Sequence, residues 1–281
     1  MAAPLRHFLL AIQFFTRIPV TGRLAAWVGF SPAMLRASAA HFPGVGVIVG
    51  GLVTALTAVL LRGLPHSPFA PLVAAVLGTV FSVLLTGGFH EDGLADIADG
   101  LGGSQDRERA LVIMKDSRVG AFGVLAVAQA LLAKVSLLAL LGSVNVGWML
   151  LGLFAAHVVS RTWPLLLIRL MPHVGDAAGS KSKPLADQIS GRSLLAAFVW
   201  CAGALSLVVV VQAGRAPQVA HALTDWQSAK PLLAALLASG VAFAIMWRLL
   251  WRRLQGFTGD GLGATQQVCE IAFYLGLALA L

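Results

Sequence analysis

The sequence predicts an all-α, polytopic integral membrane protein, a helical bundle with about seven transmembrane helices. Its 281 residues are 58% apolar and only 11% charged, and the mean hydropathy is +0.85. Soluble globular domains carry about 25% charged residues, so this composition lies far outside their range. In addition, the apolar residues occur in runs of about 20, the length that an α-helix needs to cross the hydrocarbon core.

These apolar runs define the predicted helices. A first run at 8–15 is too short to span and has no signal-peptide cleavage site after it, so we expect an interfacial or re-entrant helix. Longer runs follow at 43–61, 69–89, 121–142, 147–168, 193–213, 231–250 and 261–281. Because no internal repeat or linker interrupts them, residues 1–281 are predicted to form one membrane-embedded domain.

The distribution of basic residues predicts the orientation. Fifteen Lys and Arg residues fall on one side of the predicted topology, against Arg62, Arg215 and Lys230 on the other. Cytoplasmic loops carry the excess of Lys and Arg, so we expect a cytoplasmic N-terminus. The net charge of +8 reflects this bias and is dispersed among loops, so the expected partner is the lipid bilayer and not a nucleic acid.

An acidic segment follows the second predicted span. It contains seven of the twelve acidic residues of the chain and begins with Glu91, Asp92, Asp96 and Asp99. If residues 90–100 are helical, the three aspartates lie on one face. Such like charges require a cation, and Mg²⁺ commonly bridges carboxylates to substrate phosphates. The segment therefore predicts a Mg²⁺ site on the cytoplasmic side; the alternative is a solvated acidic turn.

Two further segments at cytoplasmic span ends combine glycine with charge. Lys115 and Arg118 precede the third span and are candidates to hold phosphate oxygens, although positive-inside flanking charge is the alternative. Asp260 lies in the glycine-rich segment 258–264 that opens the last span. There it could complete a metal site, or the segment could simply cap the helix.

Isolated ionisable residues supply the remaining candidates. Arg17 is a candidate phosphate ligand or a membrane-surface anchor, and His90 is a candidate base or a partner that orients the carboxylates. Lys134, Arg161 and Glu270 lie inside predicted spans, where a charge costs about 2.5–3.5 kcal/mol. Arg161 is expected either to pair with Glu270 or to line a polar cavity and contact a phosphate.

Five motifs together resemble a known family. They are Phe15-Thr-Arg-Ile-Pro19, Phe42-Pro-Gly-Val-Gly46, Thr86-Gly-Gly-Phe-His-Glu-Asp-Gly-Leu-Ala-Asp-Ile-Ala-Asp-Gly100, Met114-Lys-Asp-Ser-Arg-Val-Gly120 and Thr258-Gly-Asp-Gly-Leu-Gly-Ala264. Their order and spacing resemble bacterial cobalamin synthase (CobS), the adenosylcobinamide-GDP ribazoletransferase family, over essentially the whole chain. The 175–190 loop departs from the family pattern, and no role is assigned to it.

The resemblance implies a multi-pass enzyme of cobalamin biosynthesis in the bacterial cytoplasmic (inner) membrane, with its active site facing the cytoplasm. It implies Mg²⁺-dependent transfer of adenosylcobinamide phosphate from adenosylcobinamide-GDP to the 3′-hydroxyl of α-ribazole or its 5′-phosphate, with release of GMP. The resemblance leaves open which acceptor is preferred, whether the protein forms a homo-oligomer and whether it contacts other corrinoid-assembly enzymes.

Roles for the candidate residues follow from that reaction. Glu91 or His90 would take the proton of the attacking hydroxyl. The expected metal ligands are Asp92, Asp96, Asp99 and Asp260, and the expected phosphate ligands are Lys115, Arg118, Arg17 and Arg161.

Two other function classes remain alternatives. One is another membrane alcohol phosphotransferase or prenyltransferase with an Asp-rich Mg²⁺ site, but the Asp-Gly…Ala-Arg pattern of CDP-alcohol phosphotransferases fails directly after Gly93. The other is a transporter whose intramembrane charges form an ion path. Against a transporter, the carboxylates cluster at one membrane face.

Overall fold

The all-α class is confirmed. The computed structural model describes residues 2–175, 189–214 and 226–281, which form α-helices, a 3₁₀ turn at Ala39–His41 and, instead of strands, one isolated bridge between His173 and Phe257. Most of the loop that departs from the family pattern lies outside the described residues.

Twelve α-helices are formed by the described residues. In chain order they are α1 (Ala2–Phe15), α2 (Gly22–Val28), α3 (Pro32–Ser38), α4 (Phe42–Gly63), α5 (Ala70–Thr86), α6 (Phe89–Gly103), α7 (Arg107–Ile113), α8 (Ala121–Val144), α9 (Val146–Leu170), α10 (Gly191–Ala213), α11 (Trp226–Leu254) and α12 (Gly259–Ala280).

The lengths and compositions of these helices make the chain a multi-pass membrane protein. Five helical segments of the described chain are long and apolar enough to cross a membrane: Pro32–Gly63, Ala121–Val144, Val146–Leu170, Gly191–Ala213 and Ala229–Leu254. Helices α5 and α6 pass the same test only as a pair, bent by 88°, and the number is six only if that bent pair counts as one span. The predicted seventh span, α12, is not among them and carries Gln266, Gln267 and Glu270 in its middle.

The bend between α5 and α6 depends on two consecutive glycines. Gly87 and Gly88 have φ angles of +71° and +70°, a left-handed conformation that residues with a Cβ rarely adopt. Arg17 reinforces the bend, because its backbone N–H donates to the Leu85 carbonyl at 2.7 Å and its side chain lies against Gly87. The polar helix α6 therefore turns away from the axis of α5.

Helices α9 and α12 form the centre of the bundle. Helix α4 packs closely on α9 because Gly46 and Gly50 lie directly against the backbone of α9, and α12 packs on α11 in the same way through Gly276. Helix α12 also contacts α6, α8 and α9. Its polar side chains are thus surrounded by protein and must be paired inside the bundle.

Candidate active site at the crossing of α6 and α12

The predicted helix over 90–100 is confirmed, and it crosses α12 backbone to backbone. A Cβ placed on Gly93 would lie 2.7 Å from the carbonyl oxygen of Asp260, and one placed on Gly263 would lie 3.3 Å from the Cα of His90. Larger residues at either glycine would separate the helices. The crossing therefore brings the first turn of α12 to the acidic helix.

Three carboxylates converge there without a neutralising partner. Asp92 is exposed, Asp96 and Asp260 are half-buried, and none of them forms an ion pair with a Lys or Arg of the described chain. All three lie outside the five spanning helices. Burial, followed by the charges of Asp260, Asp92 and Asp99, raises the pKa of Asp96 to about 7. Burial and the charge of Asp92 raise the pKa of Asp260 to about 6, opposed by a hydrogen bond from Thr258.

This donor set fits Mg²⁺ chemically, although it is not a closed cage. Within the described residues, no group of three or more His, Cys, Asp or Glu side chains is already arranged to hold a metal ion. Mg²⁺ usually keeps several waters and takes one or two carboxylates together with substrate phosphates. The carboxylates of Asp92, Asp96 and Asp260 repel one another and could supply the oxygen ligands of such an open site.

Asp99, predicted to share the metal face, has other partners. Its two oxygens accept the backbone N–H groups of Gly120 and Gly123 at 2.7 and 2.8 Å. These amides belong to the N-terminus of α8, where unpaired N–H groups and the helix dipole attract a carboxylate. Asp99 therefore ties the loop before α8 to α6.

That loop carries two of the predicted phosphate ligands. Lys115 and Arg118 are both exposed and lie outside a helix, between α7 and α8. Arg118 donates to Asp116, with its NH2 group 2.6 Å from Oδ2. These hydrogen bonds lower the pKa of Asp116 to about 2. Arg17, a third predicted ligand, lies at the α5–α6 bend where α6 begins.

Arg161 lies in the interior, away from these loops. It is 1% exposed and its NH1 group donates to the backbone oxygen of His157 at 2.9 Å. Its expected alternative partner, Glu270, pairs instead with Lys134, at 2.6 Å between Nζ and Oε1. The pairing differs because α8 and α12 are in contact and place these two side chains together.

Glu91 and His90, the two candidate bases, have different surroundings. Gln267 donates to Oε1 of Glu91 at 2.8 Å, while Oε2 has no hydrogen-bond partner among the described residues. His90 is 2% exposed, and its ring stacks on Phe42 with centroids 5.9 Å apart. The sequence motifs assign no role to Gln267. Its position as a polar amide inside a predicted span could have indicated that it contacts a polar group.

Comparison with known proteins decides the family. The sequence profile described as CobS, cobalamin-5-phosphate synthase, matches residues 7–278. The chain belongs to this family. The predicted resemblance is thereby confirmed, and the match over nearly the whole chain argues against the other phosphotransferase families and the transporter.

Relatives within the cobalamin-5-phosphate synthase family are similar over at least 94% of their length. A protein of Albidiferax ferrireducens is 69% identical over 100% of both chains. One of Polaromonas sp. is 60% identical, with 98% of this chain and 97% of the relative covered, and one of Leptothrix cholodnii is 44% identical, with 96% and 94% covered. Each is named adenosylcobinamide-GDP ribazoletransferase. No solved structure matches the chain.

Proposed function

We propose that this member of the cobalamin-5-phosphate synthase family catalyses the reaction for which its relatives are named. Adenosylcobinamide-GDP is the donor, α-ribazole or its 5′-phosphate is the acceptor, and the products are GMP and adenosylcobalamin or its 5′-phosphate. The observation that carries the proposal is the convergence of Asp92, Asp96 and Asp260 at the α6–α12 crossing of a chain that belongs to this family.

The reaction exchanges one phosphorus–oxygen bond for another. The 3′-hydroxyl oxygen of the acceptor attacks the phosphorus that carries adenosylcobinamide, the bond from that phosphorus to the bridging oxygen breaks, and GMP leaves. Catalysis of such a transfer depends on positioning and on neutralisation of phosphate charge. Mg²⁺, held by Asp92, Asp96 and Asp260, would supply that neutralisation.

Glu91 is the best placed group to accept the proton of the attacking hydroxyl. Its Oε1 is fixed by Gln267, and its Oε2 meets no protein donor among the described residues. A carboxylate held in one orientation can take a proton from a hydroxyl within hydrogen-bond distance. His90 is less suited to this step because its ring is enclosed among aromatic side chains.

The phosphates of the donor would be held by the basic residues that border α6. Arg17 approaches from the α5–α6 bend, and Arg118 and Lys115 approach from the loop that Asp99 anchors. Arg118 would exchange Asp116 for phosphate oxygens, which a guanidinium binds bidentately. Arg161 keeps an unpartnered Nε but lies deeper in the bundle.

The site would face the cytoplasm from the bacterial inner membrane. In support, segments predicted to be cytoplasmic lie at the same end of the bundle. Arg253 at the end of α11 donates to the Ser104 carbonyl at 2.6 Å, and Arg107 donates to the Leu254 carbonyl at 2.7 Å. The loop after α6 and the end of α11 are thus joined, and both carry the basic residues typical of the cytoplasmic side.

Reconstitution tests the function directly. The purified chain in liposomes is given adenosylcobinamide-GDP, α-ribazole and Mg²⁺, and GMP and adenosylcobalamin are measured together. We expect equal amounts of both products and neither after chelation of the metal. GMP alone would indicate hydrolysis, and the absence of both products would overturn the proposal. The same assay with α-ribazole 5′-phosphate determines which acceptor is preferred.

A further inference from the structure

An aromatic cavity lies beside the candidate site, where α1, α4, α6, α9 and α12 meet. Its rings are contributed by Phe14, Phe15, Phe42, Phe89 and His90. Phe15 stacks on Phe42 with centroids 4.3 Å apart, and Phe89 meets His90 edge-on at 5.5 Å. The rest of the wall consists of aliphatic side chains and glycines of α9 and α12. A flat aromatic group would find ring faces and edges there.

One residue of the cavity wall, His90, carries an unsatisfied polar atom, its Nε2. This buried nitrogen has no hydrogen-bond partner among the described residues. A buried polar group left unpaired costs about 1–3 kcal/mol, so such a group calls for a partner that binds there. In a neutral imidazole Nε2 can carry the proton and donate it to an acceptor.

These properties select among the aromatic groups of the two proposed substrates. The dimethylbenzimidazole base of α-ribazole is a flat two-ring system with two methyl groups and one ring nitrogen free to accept a hydrogen bond. Adenosylcobinamide-GDP carries a guanine and, in its adenosyl group, an adenine. Both have an amino group, and the guanine also has a carbonyl, all of which this apolar wall would leave unpaired at a cost. The cavity therefore suits the acceptor base better than either purine.

We propose that this cavity is the subsite for the dimethylbenzimidazole base of the acceptor, with Nε2 of His90 donating to the free nitrogen of the base. The inference rests on the proposed function and deepens it. Successive residues of a helix are about 100° apart, so Glu91 lies between His90 and Asp92 on the first turn of α6. The acceptor's base would then lie at His90 and its 3′-hydroxyl at Glu91. The phosphate of the donor would lie at Asp92.

The cavity must widen to admit the base. Its volume is about 30 Å³, room for only one or two waters. The outer rings can move, because Phe89 is 37% exposed and Phe14 is half-buried, whereas Phe15 and Phe42 belong to the buried core. Rotation of exposed side chains on binding is common and leaves the core packing intact.

Steady-state kinetics with both substrates test the subsite. We expect His90→Leu to raise KM for α-ribazole at least 10-fold, equivalent to about 1.4 kcal/mol, and to change KM for adenosylcobinamide-GDP less than twofold. Phe89→Ala, at an exposed ring that is tolerant of substitution, should raise the same KM. His157→Leu is the matched control: this buried histidine also has an unpartnered Nε2 but does not line the cavity.

An acceptor without the base nitrogen isolates the hydrogen bond. Wild type should use 1-α-ribosyl-5,6-dimethylindole at least 10-fold less efficiently than α-ribazole, and His90→Leu should lose this discrimination. If wild type forms both products but His90→Leu and Phe89→Ala leave KM for α-ribazole within twofold, the subsite assignment is wrong while the proposed function stands.

Direct binding separates the two proposals further. Free 5,6-dimethylbenzimidazole is dialysed against wild type and His90→Leu in detergent, a measurement that needs no turnover. We expect the base to bind wild type at least 10-fold more tightly than the variant. Equal binding to both proteins, or none to either, would overturn the subsite even if wild type proves active.

Discussion

Carboxylates lie at two places on or beside α12, and among the described residues only the one inside the bundle has a basic partner. Glu270, inside the bundle, has an ion pair with Lys134 at 2.6 Å and hydrogen bonds from Gln266 at 2.7 Å and Tyr274 at 2.9 Å. All four side chains are buried. The negative charge of Glu270 is thus matched within the protein.

The carboxylates at the α6–α12 crossing are left unmatched. Asp92, Asp96 and Asp260 have no ion pair within the described residues, and their mutual repulsion contributes to the raised pKa values. The fold neutralises Glu270 but leaves three carboxylates together a few helical turns away. Unpaired like charges are energetically unfavourable, and proteins keep such arrangements mainly where a ligand binds. The difference supports a structural role for Glu270 and the proposal that the functional site lies at the crossing.

Removing the paired carboxylate of Glu270 should have the largest effect, and this effect should be on stability. Glu270→Ala leaves Lys134 buried without its partner, and breaking such a pair costs about 3–5 kcal/mol. We expect a large loss of thermal stability in detergent, partly recovered in the double variant Lys134→Met/Glu270→Gln. Lys230→Met, at an exposed lysine of α11, is the control and should be neutral. A stable Glu270→Ala would mean that the pair is not structural.

Removing an unmatched charge should affect catalysis and spare stability. Asp96→Ala is expected to lower GMP release about 100-fold, the order of loss seen when one group that stabilises transition-state charge is removed. The unfolding temperature should stay the same or rise, because like charges are separated. Glu108→Ala, at an exposed acid of α7, is the matched control and should keep full activity. Asp96→Ala with near-normal turnover would contradict the metal assignment.

Asp99 is on the acidic helix but is hydrogen-bonded within the protein, so its substitution should affect both stability and substrate binding. Its contacts with Gly120 and Gly123 resemble a helix cap, so Asp99→Ala should cost about 1–2 kcal/mol of stability. Release of the loop that carries Arg118 should also raise KM for adenosylcobinamide-GDP. Asp106→Ala removes the cap of α7, an exposed helix of seven residues, and should cost less and leave KM unchanged. Equal effects of the two variants would argue against a special role for Asp99.

The raised pKa of Asp96 predicts how stability depends on pH. Because the pKa rises from 3.8 to about 7 on folding, the folded state holds the proton more tightly, and stability falls as the pH rises from about 4 to about 7. Thermal unfolding in EDTA should show this decline, and Asp96→Asn should make it shallower, while the raised pKa of Asp260 leaves a smaller decline. Asp116→Asn is the control, because the lowered pKa of Asp116 lies below this range. An unchanged slope in Asp96→Asn would contradict the assignment.

The smallest effect is expected at Arg118. Its side chain is 87% exposed, and water and salt screen the contacts of exposed charges. Arg118→Ala should therefore raise KM for adenosylcobinamide-GDP about two- to fivefold, without a change in unfolding temperature. Arg109→Ala, in α7, provides a comparison outside the phosphate-binding set and should leave KM unchanged. A loss of turnover with unchanged KM would assign Arg118 to the transition state instead.

The class of protein and the position of the acidic helix follow from the amino-acid sequence alone. Composition and runs of apolar residues predict a helical membrane protein because spanning the bilayer imposes a length and a hydropathy on each segment. The spacing of Asp92 and Asp96 predicts one helix face because the helical repeat is local. The order of the five motifs was enough to indicate the family.

The contacts between side chains of different helices, in contrast, follow only from the three-dimensional fold. It paired Glu270 with Lys134 instead of Arg161, turned Asp99 to the N-terminus of α8, placed Gln267 on Glu91 and gathered the aromatic cavity from five helices. Such contacts depend on how far each helix is rotated about its axis and where it crosses its neighbours. Periodicity within one segment carries no information about either quantity, because both are set by close packing of residues distant in the chain.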